Sequence, residues 1–135
     1  MKKYKFRLWD NEHKKFLEDD LYTEYFINTF GTVNKVTEYD FGGYSTEISV
    51  SLLDNIEISQ YTNLKDSYGN EIYEKDIVWN EWDEVYQVVL FEDGEYKLVD
   101  DMYKQSLYEN LDYIYIRGNV YENFELIKEW YSEAE

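Results

Sequence analysis

Val85-Tyr86-Gln87-Val88-Val89-Leu90-Phe91-Glu92-Asp93-Gly94-Glu95-Tyr96-Lys97-Leu98-Val99 reads as two strands joined by a tight turn. Its first seven residues are dominated by β-branched and aromatic side chains, which fit a pleated surface. Asp-Gly between two such runs is a specific hairpin signal, because glycine accepts the left-handed backbone that a tight turn requires. Upstream, Ile72-Tyr73 and Ile77-Val78-Trp79 are apolar runs separated by Glu74-Lys75-Asp76, and Asp66-Ser67-Tyr68-Gly69-Asn70 is rich in turn formers. Downstream, Ile114-Tyr115-Ile116 reads as a further strand and Gly118-Asn119 as a turn or bulge. Residues 60 to 120 therefore hold four or five short strands with tight connections, enough for a small twisted barrel. Residues 101 to 110 are expected to form a short helix. Asn123 is expected to cap a last one, with Phe124, Ile127 and Tyr131 on one stripe and Leu126 and Trp130 beside it.

The N-terminal half reads as a second β layer. Tyr4-Lys5-Phe6-Arg7-Leu8 alternates apolar and basic residues, and Asp10-Asn11-Glu12 supplies turn formers before Phe16-Leu17, which together predict a hairpin. Residues 18 to 43 are ambiguous: Leu21, Tyr22, Tyr25, Phe26 and Phe30 fit helical spacing, yet the composition also suits strands. Gly31, Gly42 and Gly43 punctuate that segment. Ile48, Val50 and Leu52 alternate with Glu47, Ser49 and Ser51 as a half-buried strand does, Asp54-Asn55 makes a turn, and Ile56-Glu57-Ile58 resumes the alternation. The expected class is thus mostly β, a β-rich α+β fold. An N-terminal β lobe over 1–58 and a barrel lobe with a C-terminal helix over 59–135 are read as parts of one compact unit. No proline interrupts the chain.

At 135 residues the chain is long enough to bury about two-thirds of its unfolded surface, and 16 Tyr, 7 Phe and 4 Trp make aromatic rings a large part of any core. There is no cysteine, hence no disulfide, thiolate nucleophile or thiolate metal ligand. The opening residues do not resemble a signal peptide, and no run reaches the 18 or so apolar residues of a spanning helix, so a soluble cytoplasmic protein is expected. The net charge of −17 is uneven along the chain: residues 1 to 15 carry six basic and two acidic side chains, net +4, leaving −21 on the other 120. A domain of this size spans ~35 Å, a length over which duplex DNA carries about 20 phosphate charges. Such a body argues against direct binding of nucleic acid or of anionic membranes.

Catalytic constellations are sparse. His13, the single histidine, sits among Glu12, Lys14 and Lys15 and reads as a solvated turn residue. No nucleophile elbow, phosphate loop or histidine pair occurs. Glu95-x-Lys97, with Asp76, Asp83 and Asp93, matches the weak pattern of a metal-dependent nuclease, but thirty acids make chance matches easy. The stretch Asp66 to Glu71 lacks the acid spacing of a calcium loop and reads as a plain turn. No catalytic residue, metal or cofactor is expected, and the protein is read as a non-enzyme. Two surfaces remain. Trp79, Trp82, Asp83, Glu84 and Tyr86 flank one acidic aromatic turn suited to a protein partner. Lys2, Lys3, Lys5, Arg7, Lys14 and Lys15 form a basic surface that could meet the acidic body of a second copy.

The segment Gln60-Tyr61-Thr62-Asn63-Leu64-Lys65-Asp66-Ser67-Tyr68-Gly69-Asn70-Glu71-Ile72-Tyr73-Glu74-Lys75-Asp76-Ile77-Val78 resembles the signature of the YopX family of phage and prophage proteins. Lys5-Phe6-Arg7-Leu8-Trp9-Asp10 and Ile116-Arg117-Gly118-Asn119-Val120-Tyr121-Glu122-Asn123 resemble that family's terminal motifs, in the same order. Three positions depart. Asn63 stands where glycine is common, and Asn tolerates a left-handed backbone best after Gly. Lys75 replaces a glycine before Asp76-Ile77-Val78, and Phe124 stands where proline is usual. The resemblance implies a small SH3-like barrel in the C-terminal half, phage origin and self-association, with Gly69 and Gly118 shaping turns and Trp9, Tyr61 and Ile77 packing. It implies no activity. The leading expectation is a homo-oligomeric interaction module that binds a host or phage protein. The alternatives are an acidic nucleic-acid mimic that blocks a DNA-binding host protein and, third, the nuclease.

Overall fold

The structure, a computed structural model, describes residues 2–40 and 46–132, so Gly42 and Gly43 lie outside the described residues. Strands dominate, as the sequence predicts. The chain divides into two compact units, Met1–Arg7 with Ser59–Glu135, and Leu8–Ile58. Strands β1 (Phe6–Asp10) and β6 (Ile56–Lys65) each run from one unit into the other.

In the larger unit, β7 (Glu71–Tyr73) pairs with β6, and β8 (Asp76–Asn80), β9 (Val85–Glu92), β10 (Glu95–Val99), β11 (Lys104–Ser106) and β12 (Ile114–Asn119) form an antiparallel sheet ordered β11-β10-β9-β8-β12. The hairpin read from Asp93-Gly94 is β9–β10, with Glu92 opposite Glu95 and Val88 opposite Val99. Consecutive residues on its inner strands are fully buried, Ile77 with Val78 and Val88 with Val89, because both faces of this sheet are covered. On one face Val78, Val89, Leu98 and Ile114 pack with Ile72 and Leu107. On the other, Ile77 and Val88 pack with Val120 and Ile127, flanked by Phe124, Leu126, Trp130 and Tyr131. The C-terminal stripe thus works as read, though its helix is short: one 3-10 turn, Phe124–Leu126. Asn123 holds its N-cap position, but the side chain makes no capping bond. Its Oδ1 accepts the amide of Asn119 instead. The helix expected over 101–110 is replaced by a turn, β11 and a 3-10 helix over Tyr108–Tyr113. The Asp100 carboxylate draws the chain round by accepting the amides of Met102 and Tyr103.

In the smaller unit, β1 pairs with β2 (Lys15–Phe16) as the predicted hairpin, Trp9 opposite Phe16 with ring centroids 4.9 Å apart. The ambiguous segment resolves as strand: β3 (Thr23–Ile27) and β4 (Val33–Asp40) form a meander with β5 (Thr46–Leu53). Its helical spacing is coincidental, since Leu21, Tyr22, Phe26 and Phe30 are exposed while Tyr25 turns to the opposite face of the sheet.

Without proline, the turns are made by side chains. Asp10, Asp20, Asn80, Asp100 and Asn119 each accept, on one side-chain oxygen, the amides two and three residues on. Asn63 adopts φ +65 within β6, where the strand's register slips between Tyr61 and Lys65, and its side chain holds the amide and carbonyl of Lys3. Lys75 also takes a left-handed φ, +69. No helix among the described residues is long and apolar enough to cross a membrane.

Candidate functional site

Two cations of the basic N-terminal surface are ion-paired within the larger unit. Lys5 pairs with Glu71 at 2.8 Å, and Arg7 pairs with Asp76 at 2.6 Å, donates to the carbonyl of Glu74 and lies over the Tyr73 ring. Lys2 and Lys3 belong to the same unit, with Lys2 over the Tyr4 ring. Lys14 and Lys15 belong to the other unit. The charge asymmetry of the sequence dissolves: Leu8–Ile58 carries 3 basic and 11 acidic side chains, net −8, and the remainder 10 basic and 19 acidic, net −9. Burial pushes the Asp76 carboxyl up to about 6 against the pull of Arg7, because desolvation outweighs the ion pair.

The acidic aromatic turn is also divided. Trp79 and Tyr86 face each other across β8 and β9 with ring centroids 4.8 Å apart, on the face covered by the C-terminal segment. Trp82 sits on the turn itself, 76% exposed and 5.7 Å from the Tyr113 ring. Glu84 is exposed with φ +55. Asp83 accepts from Gln105 Nε2 at 2.7 Å and lines a cavity of about 510 Å³ with Val85, Asp100, Met102 and Tyr103. Beneath it runs a buried polar chain: Asn80 donates to Gln87, and Gln87 donates to Asp100. Sequence reasoning singled out neither Gln87 nor Asp100. The legible signal was Gln87, the one amide in an apolar strand.

The acids of the nuclease pattern are not gathered. Asp76 is buried against Arg7, Asp83 bonds Asn80 within the β8–β9 turn, and Lys97 pairs with the exposed Asp93 at 3.1 Å. Among the described residues no three His, Cys, Asp or Glu side chains could hold a metal together.

A surface that sequence reasoning took for half-buried lies on the meander. Register places Tyr22, Glu24 and Phe26 beside Glu38, Val36 and Asn34, and these beside Ile48, Val50 and Leu52, all on one face. Tyr22, Phe26, Ile48, Val50 and Leu52 are each 50 to 68% exposed.

These features define a two-unit, strand-dominated protein with open apolar and acidic surfaces. The chain matches the family model described as YopX protein over residues 5–128, and it belongs to that family. Among solved structures it is similar to protein EF1440 from Enterococcus faecalis, with 26% identity and a TM-score of 0.60 over 92% of this chain and 97% of that one. It is also similar in fold to protein yopX from Bacillus subtilis, with 21% identity and a TM-score of 0.56 over 94% and 97% of the two chains. No curated protein matches it.

Proposed function

We propose that this protein is an interaction module that self-associates through the apolar face of its β3-β4-β5 meander. The observation that carries this reading is the outer row of β5. Ile48, Val50 and Leu52 stand exposed on an eight-residue edge strand with no proline or lysine to blunt it. With Tyr22 and Phe26 the face offers roughly 600 Å² of apolar and aromatic surface, at the upper end of what a monomer leaves open. Two copies would bury about 1,200 Å² together, the lower bound of a specific interface. A second copy fits because the β5 row is uncharged. In an isologous pair the two rows can overlie each other, while Glu24 on β3 and Glu38 on β4 are offset from it.

Sedimentation equilibrium across a range of concentrations tests this. The wild type should exceed its 16.5 kDa monomer mass, and a Val50→Asp variant with unchanged circular dichroism should fall to it. A wild type that stays monomeric at tens of micromolar, where contacts of micromolar affinity or better would assemble, overturns the reading.

A further inference from the structure

The opposite face of the same meander carries a different feature. Lys35 lies on its central strand, between Tyr25 on β3 and Ser51 on β5. With Lys15, His13, Leu17 and Asp10 it lines a cavity of about 260 Å³, all within Leu8–Ile58. That unit has eleven acids and only three lysines, yet two of the three converge here, together with the chain's one histidine. Other cations are committed: Lys5 to Glu71, Arg7 to Asp76, Lys97 to Asp93 and Lys104 to Glu92. Among the described residues Lys15 and Lys35 have no acidic partner.

Asp10, the acid in the wall, is already engaged. Its Oδ1 accepts the amides of Glu12 and His13, and its Oδ2 lies 2.7 Å from His13 Nδ1. That contact orients the ring and leaves Nε2 as its remaining donor or acceptor. Burial, aided by the negative charges of Asp20, Asp10 and Asp19, pushes the Tyr25 phenol up, so its hydroxyl keeps its proton as a donor.

We infer that this cavity binds a phosphate group, held between the ammonium groups of Lys15 and Lys35 with the Tyr25 hydroxyl as a neutral donor. The donor chemistry selects phosphate over carboxylate. Lysine acts as a point charge that suits a tetrahedral, multiply charged anion, whereas planar carboxylates are matched by the arginine fork, which is absent from this wall. The volume leaves room for a small phosphomonoester and excludes most drug-sized ligands.

Amide NMR titration of the full chain tests the assignment, with inorganic phosphate in one arm, phosphoserine in a second and acetate at matched ionic strength in a third. Saturable shifts concentrated on Lys15, Tyr25 and Lys35 are expected with either phosphate compound. Phosphoserine binding more tightly would point to an ester, and inorganic phosphate binding equally well to the free ion. A Lys15→Met, Lys35→Met double variant should weaken binding at least about tenfold. Lys65→Met should change nothing, and unchanged amide dispersion outside the cavity would show that each variant folds. Shifts spread over surface lysines, equal binding of acetate, or undiminished binding by the double variant would overturn the proposal.

Discussion

The Asp66 carboxylate accepts the backbone amide of Ile116 at 2.9 Å, tying the turn after β6 to a strand fifty residues on. Its other oxygen accepts the amides of Tyr68 and Asn70 at 2.9 Å each, and the Ser67 amide donates to the carbonyl of Ile114. Asp66 is buried, and truncation would remove the acceptor of three amides at once. Charge-assisted bonds of this kind put the cost of Asp66→Ala at about 3 kcal/mol or more, and Asp66→Asn, which keeps one acceptor oxygen, should lose less than half of that. Chemical denaturation of both variants checks the ranking.

What the sequence disclosed followed the range of the forces involved. The β9–β10 hairpin was legible because its period and its Asp-Gly turn are local. The turns at Asp10, Asp66 and Asn80 were legible for the same reason. Residues 101 to 110 were misread because the Asp100 side chain, and not helical propensity, directs the chain there. The partners of Lys5 and Arg7 were not legible because Glu71 and Asp76 lie 66 and 69 residues downstream. Alternation in β5 marked one apolar face but could not tell that it stays open. Lys15 read only as part of the basic N-terminal surface and Lys35 carried no signal, since only the folded strands β2 and β4 bring the two to one cavity.

Gly118 occupies the bulge where the β12 register slips against β8. A Cβ there would lie 2.2 Å from the Asn123 Oδ1 that accepts the Asn119 amide. Gly118→Ala must displace that side chain and break its bond at a backbone φ of +156 that already disfavours a Cβ, for about 2 kcal/mol or more in all. Its thermal midpoint should fall by several degrees. Asn123→Ala in the same background should recover part of the loss, which simple backbone strain would not allow.

Asp76 gives a pH signature. Its carboxyl is raised from near 4 to about 6 by burial, so the folded state holds the proton more tightly than the unfolded chain does. The associated stability is present in full below pH 4 and is lost as pH rises through 6, roughly 3 kcal/mol by pH 7. Asp10 and Glu71 act in the opposite sense, since both are held below the usual range and favour folding above pH 4. The stability difference between wild type and Asp76→Asn should therefore move against wild type between pH 4 and pH 7, and the Asp76 carboxyl carbon should titrate near 6 by NMR. A flat difference across that window would show that the Arg7 ion pair cancels the effect of burial, and a difference moving in favour of wild type would show that it outweighs it.

Lys75 tests how a non-glycine residue is retained in a left-handed turn. At φ +69 it forgoes about 1–2 kcal/mol relative to glycine. In return its ammonium donates to the Tyr131 hydroxyl at 2.9 Å and lies 5.7 Å from the ring centroid, fastening the C-terminal segment over Ile77 and Val88. Lys75→Ala keeps the strained backbone and loses the tether, so it should destabilise by about 1 kcal/mol. Lys75→Gly loses the same tether but relieves the strain, and it should fall within about 0.5 kcal/mol of wild type once the greater freedom of its unfolded chain is included. Parallel denaturation curves should therefore rank glycine above alanine. The reverse order would mean that unfolded-chain entropy, and not the left-handed backbone, governs this turn, whereas an alanine variant as stable as wild type would mean that the Tyr131 contact contributes little.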